Sequence, residues 1–132
     1  AFIVVLCVTL HYEALNVCTR LLRSMHLAPR LRVMVLIFAI LGIHITAIWI
    51  FGFGYWALSS TPGHGGLIAA HAIGLVDYVY FSAVCFTTLG LGDIAPVGAI
   101  RFLAGTEALT GFVLVTWSAS FTFVEMQRLW RA

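Results

Sequence analysis

Three long apolar stretches, separated by short polar ones, dominate the chain. Residues 2–22 are interrupted by only a few polar side chains, residues 33–56 carry no formal charge, and residues 100–128 form the third stretch. At 1.5 Å per helical residue, about 20 residues cross the roughly 30 Å hydrocarbon layer of a bilayer. The pattern therefore predicts three membrane-spanning helices.

A fourth apolar segment, residues 77–86, is too short to cross a bilayer and too apolar for a surface loop. A half-helix that enters and leaves the same side of the membrane fits it best. The polar stretch before it contains Pro62 and three glycines and predicts a loop. The predicted order is a helix and basic linker at 1–32, a helix at about 33–57, a loop at 58–74, a half-helix at about 75–87 and a last helix at about 99–129.

Composition strengthens the membrane assignment. The chain is 62% hydrophobic and 9% charged over 132 residues, whereas soluble domains carry about 25% charged residues. It is therefore an integral membrane protein, with the lipid bilayer as its solvent. One subunit is too small to enclose an aqueous path, so a pore requires assembly around a symmetry axis. No basic stripe on a soluble face indicates nucleic-acid binding.

Charge orients the predicted helices. All seven basic residues are arginines, and six of them lie either between Arg20 and Arg32 or at Arg128 and Arg131. Because arginines accumulate on the cytoplasmic side, both clusters are predicted to be cytoplasmic, and the protein to lie in the plasma (cell inner) membrane. The 58–74 loop then faces outward, and the first helix starts outside.

The segment Thr87-Thr88-Leu89-Gly90-Leu91-Gly92-Asp93 carries the chemistry. Carbonyl oxygens of consecutive residues point one way when left-handed and right-handed backbone values alternate, and glycine adopts the left-handed values at little cost. Four copies of such a segment can replace the water shell of a monovalent cation. At about 3.3 Å per residue, the stretch holds several cation sites in a row.

In this context the chain resembles the potassium channel pore module. The resemblance covers roughly residues 33–128 and leaves the first helix outside. It implies an all-α membrane protein, a homotetramer, passive conduction of K+, no enzymatic activity and no cofactor besides the K+ ions. The filter would span residues 88–93. Its cation sites would be formed by the Thr88 hydroxyl and by the carbonyls of Thr88, Leu89, Gly90 and Leu91, and Gly92 would complete the stretch.

The same resemblance implies supporting residues. Asp93, with Thr87 at the other end, would tie the filter to the pore helix and concentrate cations at the mouth. Val84 occupies a position where some relatives place a carboxylate partner for this aspartate, so Asp93 is expected to use Tyr80 or a water. Leu91 stands where many potassium channels carry an aromatic residue, and a non-selective monovalent cation channel of the same fold is the alternative.

Polar residues of the last helix have two interpretations each. Gly111 is either a gating hinge or a small residue for close packing. Thr110 and Ser118 either line the cavity or make bonds between helices. Glu107 supports the filter from behind or extends to the headgroups. Glu125 forms a ring at the inner mouth or pairs with Arg128 three residues on.

Histidines add further hypotheses. His11, with Glu13, lies within the first span and must face protein or an interface. His44 is expected to be a hydrogen-bonded packing residue. His64 and His71 belong to the outer loop, where solvated histidines are the expectation and a metal-binding or proton-sensing role is the alternative.

An enzyme is the rival from another class. Gly90-Leu91-Gly92-Asp93 also matches the motif of intramembrane aspartyl proteases, with Asp77 as the only candidate second carboxylate. Two carboxylates that share a proton can activate water. Three spans are few for that architecture, and the preceding Thr-Thr-Leu has no role in it. A non-conducting subunit that keeps the pore fold is a further alternative.

Overall fold

The part of the chain that the structure describes folds into a bundle of four helices, in agreement with the predicted all-α membrane protein. The computed structural model describes residues 1–131, with side chains through Arg128. Its helices are α1 Phe2–Ser24, α2 Pro29–Ser59, α3 Leu75–Phe86 and α4 Ile100–Arg131. Within this part of the chain, α1, α2 and α4 are long and apolar enough to cross a membrane, and α3 is not. The all-α, multi-pass prediction is confirmed. The side chain of Arg131, part of the predicted cytoplasmic cluster, lies outside the described residues.

The linker between α1 and α2 is shorter than the sequence suggested. It contains only residues 25–28, so the arginines assigned to it extend the ends of the two helices. Pro29 occupies the start of α2, where a missing N–H removes no helical hydrogen bond. That proline explains why α2 begins four residues before the predicted start at 33.

Helix α1 runs antiparallel to α2 and parallel to α4. Near its start, Ile3 packs against Gly54 at the far end of α2. Near its end, Leu22 joins a buried cluster with Leu36, from the first part of α2. Ala1 lies beside Phe102, close to the beginning of α4. The first helix is therefore an integral part of the bundle.

Helix α3 is packed between α2 and α4 at two glycines. A Cβ placed at Gly52 would lie 2.9 Å from the Cα of Val79, and one at Gly111 would lie 2.0 Å from the carbonyl oxygen of Phe86. Gly111 follows the start of α4 at Ile100 by 11 residues, or about 16 Å of helix, which is half the hydrocarbon thickness. The C-terminus of α3 therefore lies near the membrane centre.

A short two-stranded sheet, absent from the sequence-based expectations, closes the end of the bundle that carries the 58–74 loop. Strand β1, Gly66–Ile68, pairs antiparallel with β2, Ala95–Val97. The backbone just before β1 lies very close to the end of β2, because a Cβ at Gly65 (φ +86°) would lie 1.9 Å from the Val97 carbonyl oxygen. The outer loop is thus fixed to the segment that follows Asp93.

Candidate functional site

The filter segment, Thr87–Asp93, is anchored at its base to the last turn of α3. The amides of Leu89 and Gly90 donate to the carbonyl oxygen of Val84 at 3.0 and 3.4 Å, and the amide of Thr88 donates to that of Cys85 at 2.9 Å. The Thr87 hydroxyl donates to the Ala83 carbonyl oxygen at 2.7 Å. These bonds turn the first amides of the segment toward α3.

Backbone angles in the segment alternate as carbonyl alignment requires. Thr88, Gly90 and Gly92 have φ values of 58°, 59° and 82°, while Leu89 and Leu91 stay outside the left-handed region. A β-branched threonine in the left-handed region costs about 1–3 kcal/mol and is typical of functional sites. Such an alternation allows successive carbonyl oxygens to point one way.

The filter segment is uncovered within the single chain. All seven residues from 87 to 93 are exposed, including the side chains of Leu89 (63%) and Leu91 (58%). Backbone polar groups cannot face hydrocarbon without partners. The segment therefore needs water, ions or further copies of the chain beside it.

Asp93, at the outer end of the segment, has a partner on α3. The Tyr80 hydroxyl donates to its carboxylate at 2.7 Å, and this hydrogen bond raises the pKa of Tyr80. Val84 is not a partner of Asp93. Its side chain is buried, and its carbonyl oxygen accepts from the amides of Leu89 and Gly90. Of the two partners expected for Asp93, the structure contains the tyrosine.

Below the filter segment, a cavity of about 220 Å³ adjoins Thr87 and Thr88. Its other wall is formed by three residues of α4, namely Phe112, Val115 and Thr116. Sequence reasoning missed these residues. The buried positions of α4, which are 100, 104, 107, 110, 111, 114, 118 and 125, leave 112, 115 and 116 exposed on another face of the helix. No sequence signal marks that face, because the helix is apolar on nearly every side.

The polar residues predicted for the cavity lie on the buried face of α4 instead. Ser118 is 3% exposed, and its hydroxyl lies 3.1 Å from Nε2 of His11 and 3.2 Å from Nε2 of His44. It joins three helices, as its alternative interpretation stated, and both histidines are packing residues. The placement of Ser118 at the cavity is corrected.

Thr110 and Glu125 require the same correction. Thr110 is buried, and its hydroxyl donates to the Thr106 carbonyl oxygen at 2.7 Å. Glu125 is 5% exposed and accepts from the Arg128 guanidinium at 2.7 Å. Its carboxylate is neutralised within the subunit, because the i, i+3 spacing brings the two side chains together.

Gly111 is a packing residue in this structure. The end of α3 leaves no room for a Cβ, since three backbone atoms of Phe86 would lie within 2.9 Å of it. Helix α4 continues through this position from Ile100 to Arg131. The close contact favours the packing interpretation over the hinge.

Glu107 is fully buried, so its extension toward the headgroups is wrong. It accepts a hydrogen bond from the Tyr55 hydroxyl, and the Ser82 hydroxyl lies 2.5 Å from its other oxygen. Ser82 is in the middle of α3. Glu107 thus connects α2, α3 and α4 behind the filter segment.

Asp77 and Asp93 have separate hydrogen-bond partners. Asp77 accepts from the amide of Gly74 at 2.7 Å and lies 3.2 Å from Nε2 of His71. These two bonds, the first being the larger cause, lower the pKa of Asp77. It caps the start of α3, while Asp93 is bonded to Tyr80, so the proton-sharing pair that a protease needs is not formed.

His64 and His71, the two histidines of the 58–74 loop, make separate contacts. His71 faces Asp77, and His64 uses its carbonyl oxygen to accept from the amide of Ile100 at 3.1 Å. Among the residues that the structure describes, no group of three or more His, Cys, Asp or Glu side chains could hold a metal ion. Both histidines are exposed, and their role stays a prediction.

Comparison with known proteins agrees with this geometry. A family model described as an ion channel matches residues 63–128, which is 66 of the 132 residues. The match runs from the outer loop through α3 and the filter segment to α4. No curated protein and no solved structure matches the chain.

Proposed function

This chain belongs to the ion channel family whose model matches residues 63–128, and we propose that it is a homotetrameric, potassium-selective channel. The observation that carries the proposal is the filter segment. Left-handed backbone at Thr88, Gly90 and Gly92 alternates with other values at Leu89 and Leu91, and the segment is exposed in the single chain. Around a fourfold axis, four such segments would present aligned carbonyls to a single file of cations.

Conduction would proceed by replacement of water with protein oxygens. The hydroxyl of Thr88 and the carbonyls from Thr88 to Leu91 would form stacked sites about 3.3 Å apart. Ions in neighbouring sites repel each other, so an entering K+ displaces one ahead of it. The membrane potential supplies about 2.3 kcal/mol per elementary charge per 100 mV.

The end of α3 would stabilise the ion before it enters the filter. Its C-terminus, at Phe86, lies at membrane mid-depth beside the cavity bounded by Thr88 and Thr116. Each helix C-terminus carries about half a negative charge. Four of them around an axis would attract a cation to this cavity and offset its loss of hydration.

The arginine distribution supports an inner-membrane protein with the filter opening outward. Arg20, Arg23, Arg30 and Arg32 cluster at the junction of α1 and α2, and Arg128 lies at the corresponding end of α4. By the positive-inside rule these ends would be cytoplasmic. β1 and β2 would then form the outer mouth.

Flux from liposomes tests the proposal, and the chain contains a matched pair of glycines for it. Gly90 (φ +59°) and Gly63 (φ +91°) both adopt left-handed backbone with open space around the missing Cβ. Alanine costs similar backbone strain at either site, of order 1–3 kcal/mol. We expect K+ flux, blocked by Ba²⁺, from the wild type and from Gly63→Ala, and a loss of at least about tenfold in Gly90→Ala, where strain disturbs the carbonyls. Absence of flux from the wild type, or equal flux from both variants, would contradict the proposal.

A non-selective cation channel is the second candidate, and Leu91 is the observation that favours it. Its side chain is 58% exposed and, unlike an aromatic hydroxyl, has no polar atom with which to brace the filter. Reversal potentials in opposed K+ and Na+ gradients decide between the two. A potential that follows the K+ gradient supports selectivity, and one near zero supports the second candidate.

Membership of this family gives Asp77 and Asp93 no catalytic task, and we propose that the protein is not an enzyme. A proteolysis assay that compares wild type with Asp77→Asn tests this. Cleavage of a membrane substrate that disappears in the variant would refute it.

A further inference from the structure

Glu107 is an acid in an environment that offers no positive charge. It is 0% exposed, and the two ion pairs among the described side chains, His71–Asp77 and Arg128–Glu125, do not include it. A carboxylate buried without a cation is far less stable than the neutral acid. The environment alone therefore favours a proton on Glu107.

The titratable groups that face Glu107 come from the three other helices, and none of them is a base. They are Cys7 of α1, Tyr55 of α2 and Cys85 of α3. None of them can carry a positive charge. A negative charge on Glu107 would thus gain hydrogen bonds but no opposite charge.

The hydrogen-bond geometry shows where the proton belongs. Three oxygen–oxygen contacts form a chain: Tyr55 with Glu107, Glu107 with Ser82, and Ser82 with the Ile48 carbonyl, the last at 2.8 Å. The Ile48 carbonyl can only accept, and Ser82 has one hydroxyl hydrogen. An ionised Glu107 leaves two hydrogens for three contacts.

A proton on Glu107 completes the chain. Glu107 then donates to Ser82 Oγ, Ser82 donates to the Ile48 carbonyl oxygen, and Tyr55 donates to the second oxygen of Glu107. Each contact has one hydrogen, and buried polar groups are satisfied in this way in native proteins. With an ionised Glu107, one close contact would join two acceptors with no hydrogen between them.

We infer that Glu107 is a neutral carboxylic acid that positions α3 and thereby the filter segment. Its partner Ser82 lies two residues before Val84, whose carbonyl oxygen holds the amides of Leu89 and Gly90. A shift of α3 therefore moves the filter base. This inference deepens the proposed function, and only its conduction arm rests on that function.

Infrared difference spectroscopy of the full chain in lipid tests the protonation state. At neutral pH, Glu107→Gln should remove a carbonyl band of a protonated carboxylic acid and leave the carboxylate bands unchanged. The matched control is Glu125→Gln, which should remove a carboxylate band because Glu125 is paired with Arg128. Tyr55→Phe should shift the acid band to higher frequency, because it removes a donor to that carbonyl. Loss of a carboxylate band in Glu107→Gln would overturn the inference.

Flux from liposomes tests the positioning role. Glu107→Gln keeps one donor and one acceptor, so its K+ flux should stay within about twofold of wild type. Glu107→Leu fills the space without hydrogen bonds and should reduce flux or K+ selectivity at least about tenfold. If the Glu107→Leu variant does not assemble, Ser82→Ala serves instead, because it removes the hydroxyl that α3 contributes to the same hydrogen bonds. Wild-type behaviour of Glu107→Leu or Ser82→Ala would refute the positioning role. If the wild type conducts nothing, the proposed function fails, and the infrared result still decides the protonation state.

Discussion

Replacing Gly111 by alanine is expected to destabilise the protein by displacing α3 from α4. The new Cβ would lie 2.0 Å from the Phe86 carbonyl oxygen, about 1.4 Å short of the 3.4 Å at which ordinary contact begins. The atoms in the way are backbone atoms, so no side-chain rotation relieves the overlap. Overpacking of this kind costs about 1–3 kcal/mol, or roughly 5- to 150-fold in the ratio of folded to unfolded protein.

Gly105 provides the control on the same helix. A Cβ there meets nothing within 4 Å, so Gly105→Ala tests the general effect of alanine in α4 without the overlap. In water that effect would favour the helix by up to about 1 kcal/mol. Any loss seen with Gly111→Ala and not with Gly105→Ala is therefore due to the contact with Phe86.

Two measurements on each variant separate packing from hinge motion. Thermal unfolding of the protein in lipid should show a lower midpoint for Gly111→Ala alone. Because Leu89 and Gly90 are bonded to Val84 of the displaced helix, K+ flux should fall as well. A hinge would instead alter the open fraction and leave the midpoint unchanged. An unchanged midpoint for Gly111→Ala would refute the packing argument.

Three further outcomes are expected. Tyr80→Phe removes the hydroxyl that donates to Asp93, so the K+ to Na+ permeability ratio should fall several-fold at an unchanged unfolding midpoint; an unchanged ratio would speak against a bracing role. Ser118→Ala removes the hydroxyl that contacts the buried His11 and the half-buried His44 and should cost about 1–3 kcal/mol of stability. Ser120→Ala loses only a bond within its own helix and should behave as wild type; equal unfolding midpoints for the two variants would contradict this. The pKa of Asp77 lies below its ordinary 3.8, so its contribution to stability is complete above pH 3.8 and is lost as the pH falls through the folded-state pKa. Unfolding measured against pH should therefore show a smaller loss of stability in acid for Asp77→Asn than for the wild type. The same pH profile for both would disprove the stabilising role of Asp77.

The helices were predictable because each crossing requires a long apolar run, and the half-helix because its run is too short. The Tyr80–Asp93 bond could be anticipated as one of two options, since few donors lie near the end of the filter. The alternation at Thr88, Gly90 and Gly92 follows from a local rule that glycine makes inexpensive. These features depend on residues close together in sequence.

The orientation of α4 could not be predicted, because a membrane helix is apolar on nearly every face and polar residues no longer mark the solvent side. The cavity and the bundle were therefore both left open for Thr110, Ser118 and Glu125, and the structure buries all three within the bundle. Tyr55 is 52 residues from Glu107 and Ser82 is 25 residues away. No short-range pattern announces such a contact, and strands of three residues such as β1 are too short to show alternation.

Helix α1 has a consequence for the acid at position 107. It brings Cys7 into the same core as Tyr55 and so shields this acid from acyl chains. Without α1, that side of the acid would border on lipid, where an ionisable group is costly. We expect an acid at this position to be tolerated only in a chain that carries such a helix.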